Sequence, residues 1–116
     1  LTESAGATYV ARAATYYPLQ MKELIRKALQ HHGLSFVDCA SDCPSLFGRL
    51  NRLGDAGQMM LRWKERLVTV QKAQSLSAEE LENKVVWGEF VNKDDRKEYC
   101  DIYAENIAKA KEAANG

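Results

Sequence analysis

Apolar residues follow a helical spacing in one segment of the chain and a strand-like pattern on either side of it. The spacing i, i+3, i+4, i+7 and i+8 predicts an amphipathic helix that begins near Pro18 and stops at Gly33. Short β-prone runs at residues 7–14 and 34–40 predict two strands. Strand, helix and strand in this order predict a right-handed βαβ crossover in a parallel sheet. The apolar helix positions are Met21, Leu24, Ile25, Ala28 and Leu29.

The pattern beyond residue 55 predicts shorter helices. Asp55 can cap a helix whose apolar positions include Met59 and Trp63. Capping-box patterns at Ser77 and Asp95 predict a short helix and a terminal helix. Residues 85–91, "VVWGEFV", read as a strand or an extended arm, and "VTV" is ambiguous.

A sheet of two parallel strands makes a poor core, because parallel sheets are normally covered on both faces. We therefore expect an α/β fold in which residues 1–54 are the C-terminal βαβ part of a larger domain. Residues 55–116 are expected to form a mostly helical C-terminal extension. The first residue is Leu1 rather than methionine, which fits a piece of a longer polypeptide.

Composition and charge narrow the functional classes. Hydrophobic residues make up 46% of the 116 residues, and 16 basic residues balance 16 acidic ones. This balance gives no electrostatic case for a nucleic acid or an anionic membrane as partner. No apolar run approaches the roughly 20 residues of a membrane span. The sequence therefore predicts a soluble, cytoplasmic protein.

The three cysteines, an odd number, do not predict a disulfide framework. Cys43 follows the carboxyl end of the second predicted strand, where open α/β sheets place ligands, and Pro44 stiffens the loop. Its thiolate could ligate an iron–sulfur cluster, but on burial habit alone packing is the commoner role. Cys39 is expected to pack, and Cys100 to pack or to be incidentally exposed.

No other group forms a complete catalytic constellation. His31 and His32 are adjacent and cannot both face one metal, so they are interpreted as helix-end residues. A basic cluster after Cys43 could meet an acidic protein or a phosphate, although a solvated face is the commoner explanation. The chain contains no GxGxxG, Walker, HExxH or nucleophile-elbow motif. The basic cluster comprises Arg49, Arg52, Arg62, Lys64 and Arg66.

Three stretches carry a family resemblance: "GATYVARAA", "KELIRKALQHHGLSFVDCASDCPSLFGRLNRLG" and, less specifically, "QMMLRWKERLVTV". They resemble the C-terminal part of the β subunit of 2-oxoacid:ferredoxin oxidoreductases, the thiamine-diphosphate enzymes that act on pyruvate, 2-oxoglutarate and similar acids. The first two stretches cover roughly residues 6–54.

The resemblance implies a thiamine-diphosphate-binding fold and oxidative decarboxylation of a 2-oxoacid to an acyl-CoA. It implies thiamine diphosphate with Mg²⁺, a [4Fe–4S] cluster, an α subunit and ferredoxin as partners. The family's GDG motif and its downstream Asn are not in this sequence and are expected upstream of Leu1, so the piece alone is expected to be inactive.

The resemblance also implies that Cys43 is the fourth cluster ligand, with three cysteines contributed by earlier parts of the subunit. The alternative hypothesis is a non-catalytic subunit-interaction module. Its aromatic anchors would be Tyr99, Tyr103, Trp63 and Trp87.

Overall fold

The computed structural model describes residues 1–115, and Gly116 at the end of the predicted extension lies outside the described part. The elements are β1 (Tyr9–Ala14), α1 (Pro18–Gln30), β2 (Ser35–Ala40), α2 (Ala56–Arg66), β3 (Leu67–Thr69), α3 (Val70–Ala73), α4 (Ala78–Leu81), β4 (Val85–Asn92) and α5 (Tyr99–Asn115). A π-helical turn, Pro44–Gly48, follows β2.

The predicted βαβ unit is present. Strands β1 and β2 pair in parallel with Tyr9 opposite Ser35, and α1 connects them. Pro18 lies in the first turn of α1, where its missing N–H leaves no donor unsatisfied. After α1, Gly33 has a φ of +146°, and a Cβ there would lie 2.5 Å from the Thr8 hydroxyl oxygen. Glycine therefore lets the chain return closely to the start of β1.

The sheet has four strands in the order β2-β1-β4-β3, which is two more than the βαβ unit provides. Strand β4 pairs antiparallel with β1, with a bulge between Val10 and Ala11, and β3 pairs in parallel with β4. The α/β class is confirmed, and the segment after residue 55 is mostly helical, as expected. Strand β4 of this segment joins the sheet, because pairing with β1 satisfies backbone groups that an extended arm would leave open.

The core lies between α1 and one face of the sheet. Tyr9, Ala11 and Ala13 point from β1 toward α1 and are 0–1% exposed, and Leu24 of α1 packs against them. Small alanines on β1 let the helix approach the strand closely. The apolar stripe of α1 is narrower than predicted, since Leu29 is 83% exposed. Partly buried neighbours that complete the core are Met21, Ala28, Val37 and Trp87.

The opposite face of the sheet carries polar and apolar side chains that face solvent. Arg12 and Asp38 are register partners on β1 and β2 and form an ion pair of 2.6 Å. The Arg12 guanidinium lies 6.0 Å from the centre of the Phe90 ring. Phe36 and Phe90 are both more than 40% exposed. Within residues 1–115, this face has an apolar surface without a helical layer of its own.

The C-terminal part begins helices where side chains can cap them. The Ser77 capping box is confirmed, with Ser77 and Glu80 exchanging hydrogen bonds. The predicted box at Asp95 is wrong, because α5 begins only at Tyr99. There the Glu98 carboxylate accepts the Cys100 N–H at 3.2 Å and takes the capping role.

The side chains of residues 99–114 in α5 are all exposed, and the molecule has extents of 71 × 34 × 23 Å. No helix within residues 1–115 is both long enough and apolar enough to cross a membrane.

Candidate functional site

Cys43 lies between the end of β2 and the Pro44–Gly48 turn, as predicted from the sequence. The Gly48 N–H donates to the Cys43 carbonyl at 2.9 Å, which closes the turn directly after the cysteine. Pro44 occupies the first position of the turn and fixes one backbone dihedral. The thiol is exposed at the carboxyl end of a strand that pairs in parallel with its neighbour. This end of a parallel pair is where α/β folds bind ligands.

Helix α2 packs against the Pro44–Gly48 turn through a close contact between Gly48 and Met59. Gly48 is buried, Met59 is 2% exposed, and a Cβ at Gly48 would collide with the Met59 sulfur. Asp55 caps the start of α2: its side chain accepts a hydrogen bond from the Gln58 N–H at 2.8 Å, and the Gln58 side-chain oxygen accepts one from the Asp55 N–H. A capped helix and a buried methionine therefore fix the turn that carries Cys43.

Hydrogen-bond donors of the turn lower the pKa of the Cys43 thiol. The backbone N–H of Phe47 lowers the pKa of the Cys43 thiol most, followed by the N–H of Leu46 and the Ser45 hydroxyl. These donors stabilise the thiolate, which is the form that binds metals. Within the described residues, the structure supplies one sulfur ligand here, so a cluster at this position needs ligands from outside the turn.

Differential alkylation should distinguish Cys43 from Cys100. Both thiols are exposed, but a hydrogen bond to the Glu98 carboxylate raises the pKa of Cys100, whereas the turn lowers the pKa of Cys43. Because the thiolate reacts, iodoacetamide modification of Cys43 should reach half its maximal rate at a lower pH than that of Cys100. Mass spectrometry of quenched samples across a pH series measures both. In the matched control, Glu98→Gln should lower the midpoint of Cys100 alone; coincident midpoints in the unmodified chain would contradict the expectation.

Two polar groups beside Cys43 were not predicted from the sequence. Ser45 Oγ lies 4.0 Å from Cys43 Sγ. Asp42 Oδ2 is buried and has no hydrogen-bond partner among the described residues. Asp42 also lines a cavity of about 220 Å³ between the turn and α2, together with Trp63 and Arg62. No spacing pattern marks either group, because both depend on how the turn folds over α2.

The other two cysteines lie away from this arrangement. Cys39 was expected to pack on β2, and this is wrong, since its side chain is exposed. It belongs to an edge strand of the sheet, where one side lacks a neighbouring strand. Cys100 is exposed near the start of α5.

The histidines and the basic cluster have surface or structural positions. His31 follows the last residue of α1 and its Nε2 lies 2.8 Å from Thr8 Oγ1, so it links the helix end to β1. His32 lies near Glu98 and Asp101, and their ligand atoms fall within 4.8 Å of one another. These side chains lie at the surface, where acidic groups commonly gather without an ion, and we assign them no metal. All five members of the basic cluster are exposed, as a solvated face would be.

Comparisons with known proteins identify the relatives of this fold. The chain is 42% identical over 101 residues to 2-oxoglutarate synthase subunit KorB of Methanothermobacter marburgensis, a match that covers 87% of this chain and 35% of the relative. It is 40% identical over 89 residues to the subunit of the same name in Methanocaldococcus jannaschii, covering 77% of this chain and 33% of the relative. No family model matches the chain.

A solved structure shares the fold. It is 2-oxoglutarate:ferredoxin oxidoreductase from Magnetococcus marinus with 2-oxoglutarate, coenzyme A and succinyl-CoA bound. The TM-score is 0.60 at 24% identity, and the match covers 97% of this chain and 37% of that chain.

The predicted resemblance is confirmed: the chain is related to the β subunits of 2-oxoacid:ferredoxin oxidoreductases. Among these relatives it is similar to the KorB subunits of 2-oxoglutarate synthases. The chain spans about a third of the length of the curated relatives that it matches most fully.

Proposed function

We propose that this chain is the C-terminal part of a β subunit that oxidatively decarboxylates a 2-oxoacid to an acyl-CoA. In the intact enzyme the acid and coenzyme A yield CO₂ and the acyl-CoA, and the two electrons pass singly through a [4Fe–4S] cluster to ferredoxin. Residues 1–54 belong to the thiamine-diphosphate-binding domain, and residues 55–116 form its extension. The relationship to KorB subunits over most of this chain is the observation that carries the proposal.

Cys43 is the residue of this chain that holds the cluster in the proposal. The exposed thiol, the lowered pKa and its place at a strand end all fit a sulfur ligand of iron. The cluster supplies one-electron transfer when it is bound. Pro44 and the Gly48–Met59 contact keep the sulfur at one position, while the N–H groups of Leu46 and Phe47 stabilise its negative charge.

Thiamine diphosphate and Mg²⁺ bind elsewhere in the intact subunit in this proposal, since the GDG motif is not in this sequence. The uncovered sheet face around Phe36 and Phe90 then packs against the preceding part of the same domain, as the normal burial of parallel sheets requires. An α subunit and ferredoxin are the protein partners, and the cytoplasm is the proposed location.

A second candidate function, holding a partner subunit, rests on α5. Tyr99 and Tyr103 stack at 6.1 Å between ring centres on this helix, and they are 74% and 56% exposed. Ile102 and Ile107 lie on the same helix and are also exposed. Exposed aromatic side chains are common anchors of protein interfaces. Catalysis by the whole enzyme and subunit contact through α5 are compatible.

The activity is tested on the intact complex purified anaerobically. We expect reduction of a viologen dye that requires both coenzyme A and a 2-oxoacid, with 2-oxoglutarate giving a higher kcat/KM than pyruvate, because the relatives with the broadest coverage are named 2-oxoglutarate synthases. Omission of coenzyme A is the control. Absence of dye reduction with every 2-oxoacid, in a complex with full thiamine and iron content, would leave only the subunit-interaction function.

A further inference from the structure

The turn after Cys43 contains one side-chain donor that reaches the sulfur. Ser45 Oγ lies 4.0 Å from Cys43 Sγ, within the reach of a hydrogen bond to sulfur. The other donors near the sulfur are the backbone N–H groups of Leu46 and Phe47, which side-chain substitution leaves in place. Ser45 is therefore the donor of this turn whose removal leaves the backbone arrangement intact.

We propose that Ser45 is a positioning residue. Its hydroxyl donates a hydrogen bond to the Cys43 sulfur and thereby raises the reduction potential of the [4Fe–4S] cluster. This inference rests on the proposed function, because it takes Cys43 as a cluster ligand. It concerns the energy of the electron that the cluster accepts rather than the identity of the ligand.

The direction of the effect follows from charge. Reduction adds one negative charge to the cluster, and part of that charge resides on its sulfur atoms. A donor hydrogen bond stabilises the more negative, reduced state more than the oxidised one, so the potential rises. Removing the donor should lower the potential without removing a ligand.

The geometry favours a lasting contact. Pro44 fixes the backbone between Cys43 and Ser45, and the Gly48 N–H bond to the Cys43 carbonyl closes the turn at 2.9 Å. Met59 packs on Gly48 and prevents the turn from shifting toward α2. In this closed turn the Ser45 oxygen lies two residues beyond Cys43 and 4.0 Å from its sulfur.

The test uses the intact complex and redox titration followed by electron paramagnetic resonance. Ser45→Ala should retain full iron content and lower the equilibrium constant for cluster reduction about three- to tenfold, the worth of one modest hydrogen bond. A tenfold change corresponds to about 59 mV in a one-electron couple. Ser45→Thr, which keeps the hydroxyl, should retain the wild-type potential, and Ser45→Val, which has nearly the shape of threonine, should behave as Ser45→Ala does.

Ser41→Ala is the matched control, since it removes an exposed hydroxyl two residues before Cys43 rather than two residues after it. It should leave the potential unchanged. A wild-type potential in Ser45→Ala, or equal potentials in the threonine and valine variants, would overturn the inference while leaving Cys43 as a ligand. Loss of iron from all three Ser45 variants would also overturn it, because Ser45 would then serve assembly. Retention of the cluster by Cys43→Ala would instead refute the proposed ligand itself.

Discussion

Replacing Cys43 with alanine in the proposed intact oxidoreductase should remove the [4Fe–4S] cluster that we propose it binds. The expected result is an iron content near zero for that site, loss of the broad visible absorbance of the cluster, and loss of 2-oxoacid-dependent ferredoxin reduction. A cubane cluster is usually held by one cysteine thiolate at each iron, and Cys43 is an exposed cysteine whose thiolate form is stabilised by the turn. Colorimetric iron and sulfide analysis, with anaerobic absorption spectra, measures the outcome. Alanine is preferred to serine because a serine oxygen can replace a sulfur ligand.

Cys39→Ala provides the matched control for this substitution. Cys39 is exposed like Cys43 and lies only four residues earlier, on β2 rather than in the turn. The control should keep full iron and full activity, since no donor of the turn is directed to its sulfur. Equal iron loss in both variants would indicate a general effect on folding, and full iron in Cys43→Ala would reject the ligand assignment.

The βαβ unit was predictable because each of its parts has a local signal. Pro18 and Gly33 mark the ends of the connection, and the apolar period between them is helical. The exposure of Leu29 was not predictable, because the apolar period does not tell how wide a stripe the sheet can cover. Local rules therefore specify the element and leave the extent of its buried face to tertiary packing.

The place of β4 in the sheet could not be predicted in the same way, although residues 85–91 were interpreted as a strand or an extended arm. Val85–Asn92 is a short apolar run, and its antiparallel pairing with β1 joins residues about eighty positions apart. No local signal encodes such a contact, and the bulge between Val10 and Ala11 shifts its register further. The Asp95 pattern failed for a different reason: a local capping-box pattern is present in the sequence, but the helix begins four residues later, at Tyr99.

The position of Cys43 was predictable, whereas its surroundings were not. Its place after a strand and before a proline follows from the sequence, and its role as a cluster ligand is a prediction that the family resemblance implies. The contribution of Met59 depends on α2 folding back under the turn, and that of Ser45 depends on the rotation of the turn itself. Ser45 lies two residues and Met59 sixteen residues after Cys43, and this spacing does not reveal that Ser45 lies beside its sulfur or that Met59 packs on its turn.

Replacing Tyr9 with alanine should give the largest loss of stability in this chain. Tyr9 is fully buried at the start of β1, where it packs on Leu24 and its ring centre lies 5.6 Å from that of His31. Truncating a buried aromatic side chain removes its contacts and leaves a cavity, which costs about 3–5 kcal/mol. Because small domains are stable by only about 5–15 kcal/mol, the variant should lose a large share of its stability and unfold at a markedly lower urea concentration. Urea unfolding followed by circular dichroism measures the loss.

Tyr9→Phe keeps the buried ring and removes the hydroxyl, so it shows how much the hydroxyl contributes to the free energy of unfolding at different pH values. The hydroxyl donates to the Leu24 carbonyl at 3.2 Å, so its removal should cost only about 0.5–1.5 kcal/mol. Burial, with Glu89 nearby, raises the pKa of Tyr9 to about 12, above the value of about 10 in an unfolded chain. Its neutral form is therefore favoured by folding, and this contribution is complete below pH 10 and is lost between pH 10 and 12. The wild-type free energy of unfolding should consequently fall more steeply over that interval than that of Tyr9→Phe. Parallel pH curves for the two proteins would contradict the raised pKa of Tyr9. A Tyr9→Ala variant as stable as Tyr9→Phe would show that burial of the Tyr9 ring does not stabilise this fold.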